Sequence, residues 1–591
     1  MKLFAPHQKD VYKAGHKDQY QKGTELIYSN LTARSNKHSN VKDSKFVIFV
    51  GLQLFILDYL IDEWNESFFS KPIESVVGKY KRRLSEILGY DFDVKHIEDL
   101  HKLGYLPLEI KALPEGSRVP YKVPMLTIKN TKSEFYWVTN MIESVLSCEL
   151  WPMITSATTY REYLKVFYEY ANKTGSDESF VPFQAHDFSY RGMFGRHAAA
   201  KSALVSILCG SKGSDSISGI DLAEEYYFAD SSKEFIAGSV NATEHSVMSS
   251  SIEYLVKEGY DRSTAEFEVI KRLITETYPK GIISIVSDTF DFWGVVTEIL
   301  PKLKQTILDR DGKVVIRPDS GDPVKILCGD LDYIDYTNKF LNFSDVEVFL
   351  VDDKFEREDW ESNDYYAGER VEIDLVDLEV FRFNGEYYEF KQTSVYNCWT
   401  SYGEGSCSLL NKNHTITKLE RTPQQRGLIE CLWEIFGGSI NDKGFKVLNP
   451  KIGAIYGDSI TLERQKEILE ILFNKGFASS NVVLGVGSLS YQYVTRDTHG
   501  IAIKATYAEI NSESIDIYKD PKTDDGIKKS AKGRLMVSYM DGKFELRDQV
   551  TYKEEMRGCL ETVFEDGMIV RRTDITSIRN KIKEGILKEL N

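Results

Sequence analysis

The chain has 591 residues, 42% of them hydrophobic, and a net charge of −16 at pH 7. At roughly 150 residues per domain this amounts to about four units, or fewer if one is a large barrel, with enough apolar content for sizeable cores. The acidic balance excludes a general nucleic-acid or anionic-membrane surface, which needs a basic footprint.

The N-terminus, MKLFAPHQKD, lacks the apolar centre of a signal peptide. The most hydrophobic stretch, FVIFVGLQLFILDYLI at 46–61, carries Gln53 and Asp58. It is shorter than the ~18 apolar residues of a membrane span and reads as a buried core helix. The seven cysteines, odd in number and without a C-x-x-C pair, fit free thiols in a reducing compartment. The expectation is a soluble cytoplasmic protein that binds neither nucleic acid nor membrane. Further on, VPYKVPMLTIKN (119–130) reads as strand.

From residue 183 one pattern recurs, a short apolar run ending in small and polar residues. It is seen in FQAHDFSYRG (183–192), SILCGSKGSDS (206–216), GIISIVSDTFD (281–291), VVIRPDSGDP (314–323), IGAIYGDS (452–459) and NVVLGVGS (481–488). Helical patterns lie between them, as at 251–278 and 459–476. The steps of 29 residues from Asp288 to Arg317 and 27 from Asp458 to Gly485 are the size of one strand–helix unit. Repeated units imply a parallel sheet, open or closed into a barrel, with its active site at the carboxyl ends of the strands. The polar clusters fall there.

The rhythm breaks at 324–421, which holds 21 acidic and 10 basic residues, a net −11 of the chain's −16. Within it, 371–396 alternates apolar and polar residues about Asn384-Gly385, a β-hairpin signal. The segment reads as an inserted acidic, β-rich subdomain. Because it leaves the chain just behind Gly321, it is expected at the active-site rim or on the outer face beside it, either as a solvated appendage or as a unit that covers part of the entrance or binds a partner. After it, RLMVSYMDGKFELR (534–547) reads as a hairpin turning at Asp541-Gly542. The predicted organisation is a mixed domain from 1–150 and 501–591, an α/β body from 151–323 and 422–500, and the insertion.

The rim residues are of two kinds. Arg191, Arg317 and Arg496, with Lys504, Lys528 and Lys529, are cationic; Asp215, Asp288, Asp319 and Asp458 are anionic. Arginine suits bidentate phosphate contacts, carboxylates suit ribose hydroxyls and the waters on Mg²⁺, and Gly457, Gly485 and Gly487 let backbone N–H groups approach a phosphate. A ligand with ribose, several phosphates and a metal would use all three. His245, after Glu244, could donate to a phosphate, act as acid–base group, or become phosphorylated. Phe188, between His186-Asp187 and Arg191, could pack in the core or stack on a flat heteroaromatic substrate.

These motifs together resemble the nicotinamide phosphoribosyltransferases of the type II phosphoribosyltransferase family. DVYKAGHKDQY (10–20), HDFSYRG (186–192), GSDS (213–216), SVNATEHS (239–246), SIVSD (284–288), IRPDSGDP (316–323), YGDS (456–459), GVGS (485–488), TRD (495–497) and KKSAKGRL (528–535) follow in family order. The resemblance covers nearly the whole chain outside 324–421. It implies an irregular α/β barrel with a second, partly β domain. It also implies a homodimer whose active sites are shared across the interface. The implied reaction joins nicotinamide to phosphoribosyl pyrophosphate with Mg²⁺, giving nicotinamide mononucleotide and pyrophosphate for NAD biosynthesis.

Residue by residue, the resemblance implies that Phe188 and the partner subunit's Tyr12 sandwich the pyridine ring, and that Asp215 accepts from the carboxamide. Arg191 and Arg317 would hold phosphates and Asp319 the ribose hydroxyls. Gly457, Asp458, Ser488 and Arg496 would bind the 5′-phosphate end, with Arg34, Lys504, Lys528 and Lys529 also on the phosphate side. Asp10, Ser284 and Gly487 belong to the same substrate-binding motifs. His245, with Asp288 and Asp319, would be catalytic, phosphorylated by ATP to stimulate turnover. Mg²⁺ is expected through pyrophosphate and water rather than direct protein ligands. Asn241, Ser488 and Ala502 depart from the family pattern, and Ala502 removes one hydroxyl near the phosphates. The competing readings are a nicotinate phosphoribosyltransferase, which a carboxylate at Asp215 disfavours, and a non-catalytic scaffold, which would not need the rim residues together.

Overall fold

Five apolar runs form parallel strands: Ala185–Asp187, Lys280–Val286, Asp311–Arg317, Ile452–Tyr456 and Val482–Val486. The computed structural model describes residues 3–335, 370–401, 404–457, 459–520 and 529–590. With Asn241–Ala242 these strands make a six-stranded parallel sheet, and parallel bridges Asp187–Ser214 and Gly213–Gly238 join its two edges. At the seam Asp187 N–H donates to Gly213 O and Ser214 N–H to Gly238 O, both at 3.0 Å. The ring is thus closed in chain order, an irregular α/β barrel. Its weakest stave is one residue pair, because the run Ser206–Cys209 that resembles a strand is the last turn of the helix Arg196–Cys209.

Along Asp311–Arg317, Val314 and Ile316 are buried in the helix-side core, whereas Lys313 and Val315 lie opposite Gly453 inside the barrel. Alternation of this kind is the period-two geometry of a strand. The helical pattern at 251–278 belongs to two helices, His245–Lys257 and Arg262–Arg272, the second capped by Asp261, which accepts from Thr264 N–H at 3.0 Å.

The two chain ends build an antiparallel seven-stranded sheet from Thr24–Thr32, Leu108–Ala112, Pro124–Asn130, Ala502–Ile510, Glu513–Asp516, Glu561–Glu565 and Met568–Ile569. The expected hairpin forms as Met536–Met540 and Lys543–Arg547. The stretch 46–61 is not one helix. Phe46–Phe49 is a strand paired with Ser117–Pro120, and only beyond Gly51, at φ 97°, does the chain become helical. The boundary at 150 falls inside the 39-residue helix Tyr136–Thr174, whose first half lies in the core of the antiparallel domain and whose second half lies in that of the barrel. The final helix, Ile575–Leu590, belongs to the barrel layer: Ile575, Ile578, Ile582 and Ile586 are buried there, and Arg579 donates to Ile207 O and Ile236 O.

The insertion is a separate sheet of Ile334–Asp335, Arg370–Phe383, Glu386–Ser401 and Glu404–Lys418. Its hairpin turns at Asn384 and Gly385, φ 52° and 82°, as two-residue hairpin loops require. Its described part does not stand at the rim. The helix Pro323–Cys328 first carries the chain down the barrel wall; the neck then closes where Asp330 N–H donates to Gln424 O at 2.9 Å. Arg382 next bonds Asn474 O at 2.7 Å, at the end of the helix Leu462–Asn474 that returns to the amino ends of the strands. Among the described residues no helix is long and apolar enough to cross a membrane.

Candidate functional site

The stretch KVVIRPDSGDP shows how sequence becomes site. Arg317 ends its strand with Nη2 donating to Thr243 O at 2.5 Å. The turn that follows is tied to the neighbouring strand: Asp319 N–H and Ser320 Oγ both donate to Asp288 Oδ2, at 2.9 and 2.5 Å. Asp322 turns its carboxylate to the next helix, accepting from Val324 and Lys325 N–H at 2.9 and 3.3 Å. Ser320 and Asp322 thus build the turn, and Arg317 and Asp319 remain for chemistry.

His245 begins the helix His245–Lys257 and faces this turn. Its Nδ1 lies 3.2 Å from Thr289 Oγ1, and its Nε2 lies 3.7 Å from Asp288 Oδ1 and 3.8 Å from Asp319 Oδ2. The imidazole is half exposed, whereas the Asp288 side chain is only 4% exposed and its Oδ1 accepts no hydrogen bond among the described residues. A carboxyl oxygen buried without a donor is costly, and in a candidate site it marks a place for a ligand. Two oxygen-donor carboxylates fit Mg²⁺, which keeps waters and shares substrate phosphates. No three His, Cys, Asp or Glu side chains form a ready cage among the described residues.

One strand-end further round, the structure adds a residue that the motif reading passed over. His186 Nε2 is 2.9 Å from Asp215 Oδ1, and its ring centroid is 4.5 Å from that of Phe188. Burial pushes the Asp215 carboxyl up. The hydrogen bond and charge of His186, the Ser239 hydroxyl and the charge of Arg317 outweigh it and hold the carboxyl below its ordinary value. The only sequence signal for His186 was its place at a strand end beside Phe188. Gly485 also makes room for Phe188: a Cβ there would lie 2.6 Å from the ring. Asp187, fully buried and pushed up by burial, accepts from Ser214 Oγ at 2.9 Å and latches the barrel seam.

The remaining expected residues are spread around and beyond this centre. Gly457 lies beside Asp319 and Phe188, and Ser284 is buried with an Oγ that has no partner among the described residues, so both line the centre. Arg191 is exposed in the turn Tyr190–Gly192, which packs on Ser488 at the start of the helix after Gly487. Arg34, Arg496 and Lys504 form a cationic cluster with Lys519. Burial and these neighbouring charges push the Lys504 ammonium below its ordinary value, against the pull of Glu143. Lys529 is exposed, 3.5 Å from Asp520; Asp458 and Lys528 lie outside the described residues. Asp10 and Tyr12 are not brought to the rim within one chain. Asp10 accepts from Ser144 Oγ at 2.6 Å, and Tyr12 is 60% exposed beside His16.

A model of the nicotinate phosphoribosyltransferase (NAPRTase) family matches residues 183–348 and 417–567, so the unmatched gap lies inside the insertion. The nicotinamide phosphoribosyltransferase of Acinetobacter baylyi is 42% identical over 585 residues, 97% of this chain and 96% of that protein. That of Mycoplasma pneumoniae is 28% identical over 538 residues, 89% and 94%. Among solved structures, human nicotinic acid phosphoribosyltransferase gives a TM-score of 0.48 at 12% identity, covering 98% of this chain and 94% of that one.

Proposed function

The chain belongs to the nicotinate phosphoribosyltransferase family, and from that premise we propose that it transfers phosphoribosyl from phosphoribosyl pyrophosphate to nicotinamide, forming nicotinamide mononucleotide and pyrophosphate in NAD salvage. The observation that carries this reading is the ionised Asp215 beside Phe188, on the same rim as Arg317, Asp288 and Asp319. An acceptor held ionised in a half-buried pocket favours a carboxamide donor and repels the carboxylate of nicotinate. The names of the two bacterial relatives agree with that choice.

In the proposed reaction the bond from C1 of the ribose to the pyrophosphate oxygen breaks, and the pyridine nitrogen forms the new bond from the opposite face. Phe188 holds the ring flat, which turns a bimolecular encounter into a positioned one. Arg317 and Arg191 take up charge growing on phosphate oxygens, and Asp319 faces the ribose hydroxyls. Asp288 and Asp319 would hold Mg²⁺ through water and pyrophosphate, where the ion supplies charge neutralisation of the leaving group. The cluster of Arg34, Arg496 and Lys504 suits the 5′-phosphate end. ATP is proposed to pass its γ-phosphoryl group to His245, releasing ADP; a phosphate on the first residue of a helix meets the positive end of its dipole. A homodimer is proposed because Asp10 and Tyr12 lie away from the rim of their own chain.

The test mixes purified protein, phosphoribosyl pyrophosphate and Mg²⁺ with nicotinamide or nicotinate. Mononucleotide is expected from nicotinamide, and Asp215→Asn should lower its use by roughly ten- to a hundredfold while narrowing the preference over nicotinate. Equal use of both bases by the unmodified enzyme would make it a nicotinate enzyme as much as a nicotinamide one. For the shared site, inactive Tyr12→Ala and Arg317→Ala proteins should regain activity when mixed under subunit exchange; verified exchange without recovery counts against it.

A further inference from the structure

His186 has no role in the reaction described so far, yet it is built into the site with unusual care. It is 8% exposed. One edge of its ring bonds Asp215, one face meets Phe188, and the other edge lies against Gly213, where a Cβ would come within 2.6 Å of Nδ1. Any side chain at 213 would displace the imidazole. Three strand ends, 185–187, 213–215 and 238–242, therefore cooperate to fix one hydrogen bond.

We infer that His186 is a positioning residue that sets the choice between carboxamide and carboxylate, by holding Asp215 Oδ1 so that Oδ2 is left to accept from the substrate amide. The inference rests on the proposed nicotinamide reading. With a proton on Nε2, the imidazole donates to Oδ1 and fixes the rotation of the carboxylate. Other groups facing Asp215 are the Ser239 hydroxyl and the Arg317 guanidinium; the Asp187 carboxyl is turned to Ser189 and Ser214. His186 is the largest influence keeping Asp215 ionised against burial. Remove it, and only the Ser239 hydroxyl and the Arg317 charge oppose the burial that pushes the carboxyl up. A protonated Asp215 has no preference for an amide donor and does not repel a carboxylate.

The experiment makes His186→Leu and His186→Gln, each alone and with Asp215→Asn, and confirms folding by thermal melting. Glutamine places an amide N–H near the position of Nε2 and leucine does not. In His186→Leu, KM for nicotinamide should rise about tenfold with KM for phosphoribosyl pyrophosphate unchanged, and His186→Gln should recover most of the loss. Combined with Asp215→Asn, His186→Leu should add less than about twofold, because residues acting through one contact are not additive. The preference for nicotinamide over nicotinate should decline toward acidic pH in His186→Leu and stay flat in the unmodified enzyme. Gly213→Ala, which displaces the ring without touching its chemistry, should reproduce His186→Leu. Equal losses with and without Asp215, a parallel rise in KM for phosphoribosyl pyrophosphate, or a glutamine variant as poor as leucine would overturn the inference and leave the proposed reaction standing. Failure of the unmodified enzyme to use nicotinamide would instead overturn the reaction.

Discussion

The two ends of the barrel use the same kinds of residue to opposite effect. At the carboxyl ends of the strands, Asp288 Oδ1, Arg317 Nε and Ser284 Oγ are buried and without partners among the described residues. At the amino ends, Arg310 gives Nε to Ile274 O at 3.2 Å, Nη1 to Gly281 O and Lys313 O at 2.5 and 3.3 Å, and Nη2 to Tyr278 O and Lys280 O at 2.5 and 3.1 Å. Nearby, Lys475 donates to Cys328 O and Arg426 O and, with Arg421, pairs with Glu430. A polar group whose bonds are all made inside the protein contributes stability. At the carboxyl ends of the strands, one left open is available to a ligand, and its cost is carried by the rest of the fold.

The widest test of that contrast exchanges charge at one end and bonding at the other. Asp288→Asn keeps an oxygen for Asp319 N–H but removes the buried charge; kcat/KM should fall about a hundredfold or more, with the melting temperature little changed. Arg310→Met should do the reverse. It strips the guanidinium from five carbonyls and should cost about 3 kcal/mol or more in denaturant unfolding, while the folded fraction keeps normal kinetics. If Arg310→Met impaired turnover more than stability, the division between the two ends would be wrong.

Glu266 sharpens the comparison, since it is an orphan outside the rim. It is buried on the helix Arg262–Arg272 with Oε1 unpartnered among the described residues; burial, and then the charge of Asp291, raise its carboxyl to about 7. Because the folded-state value lies above the unfolded one, the native chain binds more protons than the unfolded chain between about 4.5 and 7, and stability falls as pH rises across that window. Glu266→Gln should match the unmodified protein near pH 4.5 and melt progressively higher than it as pH approaches 7. A difference independent of pH would mean that the carboxyl does not titrate there.

Much of this was legible in the sequence because strand ends carry their own punctuation. Val314 and Ile316 with Arg317 and Asp319 place both a stave and its chemistry, and Asn384-Gly385 fixes a hairpin. What escaped depends on distance across the sheet. The stave at 213–214 has one bridge on each side and no apolar run, so Ser206–Cys209, helical in fact, took its place. At 46–61 hydrophobicity was continuous while the backbone was not: Gly51 turns a strand into a helix, and one apolar stretch cannot show which period it follows. His186 was invisible as a site residue because its partner Asp215 lies on the next strand end, and a hydrogen bond between strands leaves no mark in either motif. Asp10 and Tyr12 were expected at the site from the resemblance alone, and nothing in their own chain brings them there.

The smallest effect expected comes from the insertion, and its position is the reason. Had it hung from the turn after Arg317, its removal would disturb KM for phosphoribosyl pyrophosphate first. Instead six helical residues, Pro323–Cys328, separate that turn from the neck, and the hairpin meets the body at Asn474, at the amino end of the barrel. The neck is already closed by the bond from Asp330 N–H to Gln424 O, so a short linker joins its ends without strain, and loop closure depends only weakly on what length is removed. Arg421 has to stay, because its guanidinium bonds Glu430 at 2.9 Å and covers the Tyr387 ring at 3.9 Å. Losing Tyr387 exposes that one face, a local loss. Replacing 331–420 with a short Gly/Ser linker should therefore leave KM for both substrates and kcat within about twofold of the unmodified enzyme, with a modest drop in melting temperature. The acidic character of the segment points the same way, since near the site it would repel an anionic substrate. A severalfold change in KM for phosphoribosyl pyrophosphate in the shortened, folded protein would show that the two ends of the barrel are coupled after all.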